Sequence, residues 1–241
     1  MTAALKVLLF DVDHTLLSAG GAGFRAMDRA FFERYGVENA TRGIAPDGKT
    51  DPMLFGEALV RCRLAAAGRP PPPELVRRYE DLFPEEMAAP PAELMPGVRE
   101  LLQALSGCPG VQLGLLTGNL ERTAQVKVAT FGLDRYFAFG AYGSDHGDRL
   151  RLPPVAVERA ERLAGRPIGL GPHVIVVGDT PRDVVCARAW GATAVGVATG
   201  RSSARELLDA GAHRVFEDLA DTAGVLEALG MGSGQGLGAR G

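Results

Sequence analysis

Lysine is scarce in this 241-residue chain: of 26 basic residues, only Lys6, Lys49 and Lys127 are lysines. Codon preference accounts for the bias, yet any site that needs an ammonium group has just three sources for it. Cysteine is scarce too, and Cys62, Cys108 and Cys186 form an odd set without metal-type spacing. That argues against a disulfide framework or a zinc cluster and fits thiols buried in a reducing compartment. No apolar run is long enough to span a bilayer, and residues 1–6 lack the basic and apolar regions of a signal peptide. A cytoplasmic location is therefore expected. A net charge of -3 gives no electrostatic basis for binding nucleic acid or an anionic membrane. There is no evident repeat and no completed G-x-G-x-x-G or Walker pattern, so the glycine-rich segment 18–23 reads as a hinge or turn rather than a phosphate loop.

What the chain does have is the composition of an ordinary globular protein, 46% hydrophobic and 23% charged. Its length suits one α/β domain with a smaller insert. The organising stretch is Leu8-Leu9-Phe10-Asp11-Val12-Asp13-His14-Thr15-Leu16-Leu17. A continuous apolar run marks a strand buried on both faces, as in parallel sheets, and ligand sites in such sheets lie beyond the carboxyl ends of the strands. Asp11 and Asp13 share one side because side chains alternate along an extended chain. Two adjacent anions call for a cation, and oxygen ligands suit Mg²⁺. Acids in this position also serve as turn formers, and the pair alone leaves both readings open.

Apolar spacing predicts a helix over 24–35, a second from Pro52 toward Ala66, and a third over 74–87. Thr50 or Asp51 is placed to cap the second. Residues 19–94 thus form a helical insert between residues 1–18 and 95–229, which make up the α/β core. A helix over 98–105, a strand over 111–116, a helix over 120–131 and a short strand over 137–142 follow. Next come a polar loop to Pro154, a helix over 155–164, a strand over 173–178 and a helix that begins at Pro181. Strands over 193–198 and 214–216 complete a parallel, Rossmann-like sheet flanked by helices. The tail 230–241 is glycine-rich and expected to be flexible. Strand ends then carry Asp11 and Asp13, Thr117, Arg149 or Arg151, and Asp179 with Asp183. Acids for a metal, donors for an oxyanion and a cation are the set that phosphoryl transfer requires.

In this order and at these strand ends, the motifs resemble those of the haloacid dehalogenase-like hydrolases, in the phosphoglycolate phosphatase-like branch with a helical cap. Motif one, D-x-D-x-T, is Asp11 to Thr15; motif two is Thr117; motif four, G-D-x-x-x-D, is Gly178 to Asp183. The segments 95–98 and 191–200 are similar as well. The resemblance implies Asp11 as nucleophile and Asp13 as general acid and base. It implies Mg²⁺ held by Asp11, the Asp13 carbonyl and Asp179, with Asp183 in support. Thr117 with the N–H groups of Gly118 and Asn119 would bind phosphoryl oxygens. The acid at position 13 favours a phosphatase over a dehalogenase. Two positions depart from the pattern. His14 stands where glycine is usual, although histidine tolerates such backbone angles; its side chain is expected to face the substrate. The loop that normally supplies a motif-three lysine has none, because Lys127 belongs to the helix after motif two and Lys6 precedes the sheet. Arg149 is assigned that role, with Arg151 as runner-up. Lys49 to Asp51 either approach the leaving group or merely cap and solvate; an inward Lys49 would favour an anionic leaving group such as glycolate. The expected substrate is a small phosphomonoester, and the expected assembly a monomer or homodimer. A phosphosugar mutase, a nucleotide phosphatase, and a phosphorylatable signalling or phosphate-binding domain without turnover are the alternatives.

Overall fold

A computed structural model describes residues 5–89 and 91–231. In chain order the strands are β1 Lys6–Phe10, β2 Leu17–Ser18, β3 Glu93–Leu94, β4 Val111–Leu116, β5 Phe139–Ala141, β6 Val174–Gly178, β7 Thr193–Val197 and β8 Arg214–Phe216. The helices are α1 Ala22–Tyr35, α2 Asp51–Arg61, α3 Pro73–Ala88, α4 Val98–Ser106, α5 Glu121–Thr130, α6 Leu152–Ala164, α7 Pro181–Arg188, α8 Ala204–Asp209 and α9 Thr222–Ala228.

The main sheet is parallel throughout, in the order β5-β4-β1-β6-β7-β8. From β1 the chain builds outward through β4 and β5, then crosses back to β6 on the other side of β1. The carboxyl end of β1 is therefore the point where the winding reverses, and a crevice opens there. Alternation along β1 divides the core. Leu8 and Phe10 join the cluster shared with α4 and α5, whereas Val7 and Leu9 join the one beneath α6 and α7. Burial on both faces is why this strand reads as an unbroken apolar run.

Helices α1 to α3 pack together through an aromatic chain. Phe31 stacks on Phe55 at 6.3 Å, Phe55 meets Tyr79 edge-on at 5.2 Å, and Tyr79 meets Phe83 at 5.9 Å. The two chain crossings between these helices and the sheet lie side by side, because β2 and β3 pair antiparallel, Leu17 with Leu94 and Ser18 with Glu93.

Several boundaries differ from the sequence expectation. The second helix ends at Arg61 rather than near Ala66: Arg63 takes φ 58° and the Leu64 N–H reaches back to the Leu59 carbonyl at 2.8 Å, the six-to-one closure of a helix end. Helix α6 starts at Leu152, inside the stretch expected to be loop. The glycine-rich tail lies, from residue 232 onward, outside the described residues. Among the described residues no helix is long and apolar enough to cross a membrane, and the three cysteines are unpaired.

Candidate active site

Asp11 directly follows β1, and its N–H still bonds the Val177 carbonyl at 2.9 Å, so the sheet fixes its direction. The chain then curls: the Leu16 and Leu17 N–H groups both bond the Val12 carbonyl, and His14 takes φ 56°. Histidine sits in the left-handed region at modest cost, which is how it occupies a position expected to hold glycine. His14 is exposed and lines the cleft with Asp11 and Asp13.

The first correction to the sequence reading concerns lysine. Lys127, on α5, is only 3% exposed. Its ammonium reaches both Asp13 oxygens, at 2.6 and 2.8 Å, and Asn119 Oδ1 at 2.6 Å. The Asn119 amide completes the arrangement by donating to Asp13 Oδ2 at 2.8 Å and to Thr117 Oγ1 at 2.7 Å. Burial opposes the charge on Asp13, but Lys127 and Asn119 outweigh it and hold the carboxyl below its usual range. The ammonium thus comes from the helix after Thr117, not from the loop after the third main-sheet strand.

Arg149 occupies that loop and is buried. Its guanidinium lies 3.0 Å from Asp11 Oδ1, bonds Asp183 Oδ1, and donates to the Leu116 carbonyl at 3.2 Å. Burial disfavours its charge, but the Asp11 and Asp183 carboxylates more than restore it. Arg151 is exposed and does not line the cleft, so its expected role as a substrate ligand is withdrawn. The two arginines lie two residues apart on one 3-10 turn, Arg149–Arg151, so their side chains leave it on different sides. The missing lysine is therefore answered by two residues, Lys127 on Asp13 and Arg149 on Asp11.

Asp179 follows β6, and Asp183 lies within α7. Asp183 Oδ2 accepts from the Thr180 N–H at 3.0 Å and hydroxyl at 2.7 Å, closing a capping box. One oxygen each from Asp11, Asp179 and Asp183 come within 4.8 Å of one another. Burial first, then Asp183 and Asp11, raise Asp179 to about 9. Such crowding fits a divalent cation with oxygen ligands. Gly200 leaves room for the Asp179 carboxylate, since a Cβ there would stand 1.8 Å from Asp179 Oδ2. Asp13 stays outside this carboxylate group, its side chain turned toward Lys127.

Thr117 is fully buried, and its hydroxyl oxygen accepts from the Asn119 N–H and side-chain amide. The hydroxyl proton has no acceptor among the described residues, and Thr117 lines the cleft. Opposite it sits the loop before α2. Thr50 caps that helix by accepting from the Met53 N–H, and its hydroxyl donates to the Gly147 carbonyl at 2.7 Å. Asp51 instead faces inward and is 6% exposed. Its N–H bonds the Gly118 carbonyl at 2.7 Å, and its Oδ2 accepts from the Leu120 N–H at 2.9 Å and the Tyr79 hydroxyl at 3.3 Å. Burial raises its carboxyl to about 6 against the pull of Lys127. Lys49 lines the cleft, but its ammonium bonds Glu57 at 2.7 Å. Gly118 permits this contact between loops, because a Cβ would meet the Lys49 carbonyl at 2.3 Å.

A family model described as haloacid dehalogenase-like hydrolase matches residues 5–191. Among curated proteins, the chain is 29% identical over 151 residues to a phosphoglycolate phosphatase of Mannheimia succiniciproducens, covering 61% of this chain and 63% of that one. It is 25% identical over 244 residues to the phosphoglycolate phosphatase of Shigella boydii, covering 94% and 93%. A solved structure described as a predicted phosphoglycolate phosphatase from Haemophilus somnus superposes with a TM-score of 0.66 at 19% identity, covering 93% of this chain and 99% of that chain. This last likeness supports the fold alone.

Proposed function

This chain belongs to the haloacid dehalogenase-like hydrolase family, and from that premise we propose that it is a cytoplasmic, Mg²⁺-dependent phosphatase of small phosphorylated metabolites. Phosphoglycolate, named by the relatives, is the first compound to assay. The observation that carries the reading is the meeting of the Asp11, Asp179 and Asp183 oxygens beside an Asp13 held by its own ammonium.

Asp11 attacks phosphorus, and the bond to the leaving oxygen breaks as Asp13 donates to it a proton taken up when the phosphoryl charge arrives beside a carboxyl that Lys127 and Asn119 otherwise keep ionised. Water then attacks the aspartyl phosphate while Asp13 takes a proton from that water, and the bond between the Asp11 oxygen and phosphorus breaks to release phosphate, so one difficult hydrolysis becomes two easier steps. Lys127 and Asn119 aim Asp13, and Arg149 fixes Asp11. The free Thr117 hydroxyl proton and the Gly118 N–H face the phosphoryl oxygens, with the Asn119 N–H partly engaged by Thr117. Asp11, Asp179 and the Asp13 carbonyl would hold Mg²⁺, with Asp183 in support. When bound, the ion offsets the negative charge gathered between carboxylates and phosphoryl group. Residues 19–94 act as the cap over this site, excluding water during chemistry.

Steady phosphate release from p-nitrophenyl phosphate with Mg²⁺ is the expected result. Stoichiometric labelling of the protein without turnover would instead favour a signalling or phosphate-binding domain. Lys127→Met is expected to lower kcat about 100-fold, the usual worth of a positioned general acid. It should also move the pH dependence that tracks Asp13 upward, because the ammonium that lowers its pKa is gone. An unshifted profile would remove Lys127 from the mechanism.

The ion itself has a separate test. Asp179 is raised above its ordinary value, so its contribution to stability is complete below that value and is lost as pH rises through about 9. Metal-free protein should therefore lose melting temperature as pH rises from 3.8 toward about 9 and level off above that. Mg²⁺ at about 100 times its Kd should add about 2.7 kcal/mol, or roughly 5–10 °C, and Asp179→Asn should abolish the gain. A melting curve indifferent to Mg²⁺ would contradict the assignment.

A further inference from the structure

The cleft wall facing the leaving group is contributed by α1, the loop before α2, α2 and α3. Phe24, Met27 and Leu54 give it an apolar floor. Its charges are few, and most are already matched. The Lys49 ammonium is bound by Glu57 at 2.7 Å. At the mouth, Arg201 faces Asp47 at 3.7 Å, and the Arg201 side chain is 71% exposed, too solvated to fix an anion.

Among the described residues of this wall, Asp51 is the charged group without an ion-pair partner. Its Oδ2 is satisfied by two neutral donors, the Leu120 N–H and the Tyr79 hydroxyl. The ammonium that influences it, on Lys127, bonds both Asp13 oxygens and Asn119. At pH 8 the Asp51 carboxyl, raised by burial to about 6, is ionised. A leaving group that carries a carboxylate would meet an unmatched buried charge of the same sign, and like charges brought together discriminate against a ligand. A hydroxyl would meet an acceptor, and a carbon skeleton bearing hydroxyls would lay its C–H edges on Phe24, Met27 and Leu54.

We propose that Asp51 is the specificity-determining residue of this site, and that it selects a neutral, polyhydroxylated leaving group, a polyol or sugar, over a carboxylate such as glycolate. The inference rests on the phosphatase reading and narrows it. Buried acceptors reject partners that cannot donate to them more strongly than apolar walls reject a misfit of shape. Asp51 is the first residue of α2 and its own N–H bonds the Gly118 carbonyl, so the selecting group and the expected phosphate-binding turn are in fixed register.

The test compares kcat/KM for glycerol 3-phosphate and glucose 6-phosphate with that for 2-phosphoglycolate, using full-length wild-type protein at pH 8 with Mg²⁺. At least a tenfold preference for one of the neutral leaving groups is expected. Asp51→Asn, which keeps an oxygen for Leu120 and Tyr79 but removes the charge, should narrow that ratio at least fivefold. Asp51→Ser serves the same purpose if the asparagine variant does not fold. Equal or better use of 2-phosphoglycolate by the wild type overturns the inference, as does a ratio unchanged in a folded variant. p-Nitrophenyl phosphate separates the two levels of claim: turnover of it together with a preference for phosphoglycolate defeats only the role of Asp51. No turnover of any ester defeats the phosphatase reading and this inference with it.

Discussion

Asp11→Asn is expected to stop phosphate release, with kcat down by about 10⁴-fold or more, because nothing else in the cleft is placed to take its part as nucleophile. The fold should survive. Asparagine has the same shape, and Asp11 is a carboxyl whose ionisation burial already disfavours. The neutral amide avoids that desolvation, while Arg149 keeps Asp183 as a counter-charge. Phosphate release and a melting curve measured on one preparation distinguish a dead enzyme from an unfolded one. Substantial turnover by a folded Asp11→Asn protein would move the nucleophile elsewhere and undo the mechanism at its first step.

Arg149→Ala should show itself in stability before it shows in rate. Removing one partner of a buried ion pair leaves the other charge stranded and costs about 3–5 kcal/mol. Here the stranded groups are two, Asp11 and Asp183, both almost fully buried. For a chain of this size that corresponds to a fall in melting temperature of roughly 6–20 °C. Arg151→Ala, at an exposed position, should stay within about 0.5 kcal/mol of wild type. Urea titration of both variants checks the contrast. Equal losses would mean that Arg149 is not the buried counter-ion of this site.

The architecture was legible because the strands that build it are buried on two faces. The apolar runs at β1, β4 and β6 each end in a chemically distinctive residue, and hydrophobic periodicity places those ends together. Boundaries fared less well where tertiary packing decides them, as at Arg63, where a helix stops in a conformation usually left to glycine. Within the candidate site, the convergence of Asp11, Asp13, Thr117, Asp179 and Asp183 was legible because they follow strand ends. Lys127 was missed because it stands two helical turns beyond Asn119. A signal was present: the buried face of α5 is Thr123, Ala124, Lys127 and Val128, and a lone lysine on such a face needs an acid opposite it. Asp51 was ambiguous for another reason. Thr50 and Asp51 are both competent caps, and only the approach of Leu120 and Tyr79 from distant segments decides which of them turns inward.

The bond from the Asp51 N–H to the Gly118 carbonyl joins the two mouths of the cleft through backbone atoms, at a seam too narrow for a side chain at Gly118. That joint is thus insulated from most exchanges of side chain along the rim of the cleft. Descendants of this chain can trade one substrate for another at positions such as Phe24, Met27 or Leu54 and still inherit an unaltered clasp. Diversification would spread through the wall while the seam stayed the same.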